Sequence, residues 1–202
     1  LAVWTKEPVR LVPEAFLEAL SWRKPRRAFV CSVSDLFHDD IPDEYIAQVF
    51  AVMALAPQHT FQVLTKRHGR MRSLLNSLRF RIRVDADVYL MAEGLACDVS
   101  TGDALPVDAP RAKRAYEARR LEDGSIPTRW PLPNVWLGVS VEDQKWANIR
   151  IPALLDTPAA IRFLSCEPLL GPVDLNGPEL THLDWVIVGG ESGPGARPMH
   201  PN

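Results

Sequence analysis

Apolar residues gather along this chain in two patterns. Five short runs begin apolar and end polar: 27–35 (RAFVCSVSD), 60–67 (TFQVLTKR), 134–142 (NVWLGVSVE), 160–168 (AIRFLSCEP) and 183–192 (LDWVIVGGES). Nearly continuous apolar runs of this length, rich in β-branched and aromatic residues, are the pattern of strands buried on both faces. Between them the apolar positions switch to helical spacing. In 41–57, Ile41, Tyr45, Ile46, Val49, Phe50, Met53 and Leu55 recur on one side of a helix, with Pro42 at a first-turn position. Amphipathic stretches follow the second run (68–78) and the third (143–157), where Pro152 predicts a shortened or kinked helix. Strand and helix alternate, which predicts an α/β domain with a parallel sheet built of βα units.

The interval from about 80 to 131 departs from this alternation. It has irregular periodicity with many small, polar and proline residues, and it is too long for a simple βα connection. It reads as an insertion in a single domain, with a short helix over 109–121. The basic stretch 111–120 (RAKRAYEARR) is the charged face of that helix, and solvation is the commoner role of such a face.

The predicted strands share the chemistry of their ends. In parallel α/β folds, ligands sit beyond the carboxyl ends of the strands, where loops present polar groups over a buried scaffold. Here those ends carry Ser32, Ser34 and Asp35; Thr65, Lys66 and Arg67; Ser140 and Glu142; Ser165 and Glu167; and Glu191 and Ser192. A strand terminus meeting solvent explains any one of them; five together predict one polar rim. Gly189 and Gly190 fit either a sharp turn with positive φ or a close approach of backbone N–H groups to a ligand.

Composition narrows the functions open to such a rim. With 47% hydrophobic and 24% charged residues in 202, the chain is an ordinary globular sequence. Its net charge of −2 supplies no global basic field, so nucleic acid is permitted but not indicated. No run approaches the roughly 18 apolar residues of a membrane span, and the first residues lack the apolar core of a signal peptide, so a cytoplasmic location is expected. The missing initiator methionine points to a processed or partial product. Cys31, Cys97 and Cys166 match neither a disulfide framework nor a metal knuckle, and Cys31 and Cys166 read as buried thiols.

Taken together, RRAFVCSVSDLFHDDIPDEYI, VLTKR, NVWLGVSVEDQ, RFLSCEPLLGPVDL and DWVIVGGESGPGARPMHP resemble, in order, a phage-associated family of uncharacterised proteins placed beside the radical S-adenosylmethionine enzymes. The resemblance implies a partial (β/α) barrel that uses S-adenosylmethionine and a four-iron four-sulfur cluster held by three closely spaced cysteines. That trio is absent here, and the family pattern extends beyond both ends of the chain. The chain is therefore expected to be the middle of a barrel, without cluster chemistry of its own. The resemblance makes 27–35 the second barrel strand, whose end contacts the cofactor's amino group, and so assigns Ser32, Ser34 and Asp35 to an ammonium. It assigns Ser140 and Glu142 to ribose hydroxyls or substrate. Gly189, Gly190 and Glu191 look like the superfamily's amino-group motif but come four strands too late, so they are placed beside adenosine or substrate. Lys66, Arg67, Ser165 and Glu167 complete the rim.

Two other classes stay open. His38, Asp39 and Asp40 with Glu167 and Glu191 suit a divalent-metal hydrolase or nuclease, although the same HDD is a natural helix cap before IPDEYI. The third class is a non-catalytic barrel that binds a partner.

Overall fold

The computed structural model describes residues 9–30, 34–119, 128–177, 181–197 and 199. Five strands form one sheet: β1 (Arg27–Val30), β2 (Thr60–Thr65), β3 (Val135–Ser140), β4 (Ile161–Cys166) and β5 (Trp185–Val188). They pair in the order β1-β2-β3-β4-β5, and every pairing is parallel. Each predicted strand is present in a shorter form. The tails counted as strand, such as 66–67 and 141–142, are the loops that leave the sheet.

Parallel neighbours need crossovers, and crossovers of one hand in a strand order that never reverses bring the helices to one face. α2 (Asp43–Leu55) connects β1 to β2, and α6 (Gln144–Leu155) connects β3 to β4. Between β2 and β3 the chain makes α3 (His68–Asn76), α4 (Leu78–Ala92) and α5 (Ala109–Glu117). The first turn of the described chain, α1 (Pro13–Leu17), runs into a 3-10 turn at Glu18–Ser21.

The outer face of the sheet, with Phe61, Val63, Val135, Leu137, Val139 and Leu164, is buried in the same core as Ile46, Phe50, Met53, Ile151 and Leu154 of the helices. Asn134 ties this layer together, its amide donating to the carbonyls of Met53, Ala56 and His59 at the turn into β2. The helix α6 continues through Pro152 for one more turn rather than ending before it.

The opposite face is only partly covered. By register it carries Phe29, Gln62, Trp136 and Ile161 in one row, Leu64, Gly138, Phe163 and Trp185 in the next, and Ser140, Ser165 and Ile187 nearest the C-terminal ends. Phe163 is fully buried on this face because Gly138 leaves room for its ring: a Cβ at 138 would lie 2.5 Å from it.

The interval 80–131 is more regular than its sequence suggests. α4 begins inside the second amphipathic stretch, with the Ser77 hydroxyl capping Phe80 N–H, and buries Phe80, Val84, Val88 and Met91 against α2. Phe50, Phe80 and Trp130 then form an aromatic cluster that fastens α4 and the approach to β3 onto α2. The predicted helix over 109–121 is α5, capped by Asp108; residues 120 and 121 lie outside the described residues. Rather than being wholly solvated, α5 docks through Arg111, whose guanidinium donates to the carbonyls of Ser21 and Trp22.

Candidate functional site

The rim is built by the loops that leave β1, β2, β3, β4 and β5, and its residues differ in how far they are already engaged. Ser32, together with Cys31, lies outside the described residues. Ser34 is exposed at the start of the loop after β1. Asp35 accepts from Phe37 N–H at 3.0 Å, from the Thr65 hydroxyl at 2.7 and 2.9 Å, and from Lys66 N–H at 3.0 Å. Its carboxylate is thereby a clamp between the β1 loop and the end of β2. The expected ammonium contact would have to displace these bonds.

Glu142 is also engaged. One of its oxygens accepts from Arg150 of α6 at 2.8 Å and the other meets Lys66 at 2.7 Å. Arg150 is only 4% exposed, donates to the Ser140 carbonyl as well, and stacks over Trp146 with 4.0 Å to the ring centroid. Burial of this pair makes it the anchor of the β3 loop. Lys66, half-exposed, adds to a charge that Arg150 already balances. Arg67 pairs with Asp39, and Arg70 with Asp43 and the His38 carbonyl. Glu191 accepts from Arg197 through its side chain and backbone, bonds that hold its pKa down to about 2.

Glu167 stands apart. It is exposed and forms no hydrogen bond or ion pair with the described residues. Its side chain lies across Gly189: a Cβ there would overlap Oε1 and come within 2.9 Å of Cδ and Cγ. The loop that carries it is fixed on both sides, with Leu169 N–H donating to the Gly189 carbonyl and Leu170 N–H to that of Glu142. Gly189 therefore admits Glu167. Neither Gly189 nor Gly190 has positive φ, unlike Gly94, Gly102, Gly193 and Gly195 among the described residues, so the sharp-turn reading fails at that pair. Below Glu167, Ser140 and Ser165 are adjacent in register and buried on the inner face.

The remaining candidates do not converge. Among the described residues no three His, Cys, Asp or Glu side chains stand close enough to hold a metal ion. His38 and Asp40 contact one another, while Asp39 faces Arg67. Cys166 is buried on the outer face, and burial with the charges of Glu142 and Glu167 raises its thiol pKa. Cys97 lies beyond α4, in a bridge with Ala104. Sequence alone does not single out Arg150, and it places Thr65 on the rim without its role. Arg150 resembles any helix cation, and the clamping role of Thr65 depends on Asp35, 30 residues away.

Among known proteins, no curated protein and no solved structure matches the chain. A family model described as protein of unknown function (DUF5131) matches residues 1–202.

Proposed function

The chain belongs to this DUF5131 family, and from the rim geometry we propose that it forms one wall of a partial (β/α) barrel holding a small zwitterionic ligand of the S-adenosylmethionine type. The observation that carries this reading is the Glu167 carboxylate, which has no hydrogen-bond or ion-pair partner among the described residues and lies across Gly189 on a loop whose backbone is tied to Gly189 and Glu142. In it, Glu167 takes the ligand's ammonium, the role expected of Asp35. Lys66 turns from Glu142 toward the ligand's carboxylate, leaving Glu142 balanced by Arg150. Ser140 and Ser165 form the polar floor.

The sequence resemblance also implies a four-iron cluster. Cluster ligands are thiolates brought together by the fold, whereas Cys166 is buried with a raised pKa and Cys97 lies in the segment between α4 and α5. The described cysteines do not fit such a cluster, and no step is assigned to one.

Calorimetric titration with S-adenosylmethionine tests the proposal. Glu167→Gln keeps the shape and removes one charged hydrogen bond, so affinity should fall by about 1.5 to 3 kcal/mol. Asp35→Asn should chiefly lower stability. The absence of binding at millimolar ligand would remove the reading; binding lost in Asp35→Asn and unchanged in Glu167→Gln would return the ammonium to the β1 loop.

A further inference from the structure

At the N-terminal ends of the strands the charge is arranged in the opposite way. Arg23, Lys24, Arg26 and Arg27 occupy five consecutive positions with Pro25, and all four are exposed. None forms an ion pair with a carboxylate among the described residues, although the rim cations Lys66, Arg67 and Arg70 are all paired. The nearby Glu18 accepts from Trp22 Nε1 instead, and Asp184 accepts from the backbone N–H of Arg162. Two of the three guanidinium groups lie on aromatic faces: Arg26 is 4.9 Å from the centroid of Trp22 and Arg27 is 5.7 Å from that of Trp136.

Arg27 leads onto the open inner face. There Trp136 meets Trp185 edge to face at 6.1 Å, and Trp185 is 42% exposed although it sits on a sheet strand. Phe29 of the edge strand is 44% exposed in the same row as Trp136. Unpaired cations beside half-exposed aromatic rings fit a ligand that brings both regularly spaced negative charge and flat apolar rings. Single-stranded nucleic acid does so: phosphates meet the cations and unstacked bases lie on the rings. A purely apolar partner would leave the four cations unanswered, and duplex DNA keeps its bases stacked inside.

We propose that the N-terminal end of β1 and the aromatic inner face beside it bind single-stranded nucleic acid. This surface lies at the other end of the sheet from Glu167, and the inference does not rest on the ligand proposed there. Fluorescence anisotropy with a labelled dT oligomer of about 20 nucleotides, over a salt series, is the test. Affinity should fall steeply with salt. Arg23→Gln/Lys24→Gln/Arg27→Gln, three exposed changes that leave the core untouched, should weaken binding roughly tenfold or more and lower the salt slope by about two. Trp185→Leu, with folding checked by circular dichroism, should weaken it about fivefold or more by removing a stacking face. No binding of dT at low salt would overturn the proposal. So would equal binding of heparin with no effect of Trp185→Leu, which would show a generic polyanion patch. Binding to phosphatidylserine vesicles without binding to dT would assign the patch to a membrane surface and overturn it as well.

Discussion

Two glycines show what a missing side chain does here, each in a different way. At Gly138 the absent Cβ is occupied by the buried ring of Phe163, so Gly138→Ala overpacks a site with no room to relax. It should cost about 1 to 3 kcal/mol in urea unfolding. At Gly189 the neighbour is the exposed and flexible side chain of Glu167, which can turn to another staggered rotamer at little cost. Gly189→Ala should therefore leave stability nearly intact while weakening S-adenosylmethionine in calorimetry, because it displaces the carboxylate proposed to bind. A third residue, His59, is 1% exposed and accepts Arg26 N–H on Nδ1. Burial, with the charges of Arg111 and Arg26 adding to it, lowers its pKa from 6.5. The fold thus favours neutral imidazole: this contribution is fully present above the unfolded value and is lost as pH falls from 6.5 toward the folded one. Unfolding temperature should drop on acidification below that value, and NMR should show His59 titrating below it. A midpoint at or above 6.5 would contradict the assignment.

Between elements, the strongest polar tie is Arg150 with Glu142, which fastens α6 to the loop after β3. Removing Arg150 leaves the buried Glu142 with only the half-exposed Lys66, so Arg150→Met should cost about 1.5 to 3 kcal/mol, while replacing both Arg150 and Glu142 should cost less than the sum. Lys66→Met removes only the half-exposed outer contact and should cost about 0 to 1 kcal/mol. Equal effects of Arg150→Met and Lys66→Met would refute the division between a structural anchor and an available cation. The same logic of burial explains α4. Its apolar positions Phe80, Val84, Val88 and Met91 are interrupted by Arg79, Arg81, Arg83 and Asp85, which blurs the helical period. Contact with α2 decides the matter, and it even buries Asp87, held by Arg83 at 3.0 Å.

For the whole molecule, the sequential parallel sheet separates two ends that differ in how their charges are arranged. Among the described residues, the C-terminal ends carry cations matched to carboxylates and, in Glu167, an acid without an ion pair; the N-terminal ends carry cations without a carboxylate partner and exposed rings. Anaerobic reconstitution with iron and sulfide should leave this chain without a stoichiometric cluster. Visible absorbance with about four irons per chain would mean that cysteines far apart in the sequence come together.

The sequence by itself determined the local choices: where strands and most helices lie, their alternation, and the fact that polar residues follow every strand. Those choices depend on neighbours within a few positions, and they predicted a parallel α/β sheet before any contact was known. The tertiary structure alone decided which of the rim residues are free. Asp35, Glu142, Glu167 and Glu191 look alike in sequence, each an acid after an apolar run. Thr65, Arg150 and Arg197 engage three of them, and Gly189 makes space for the fourth. Whether a carboxylate is spent on the fold or left for a ligand depends on partners that can be far along the chain, such as Thr65 for Asp35, and come near only when the strands pair.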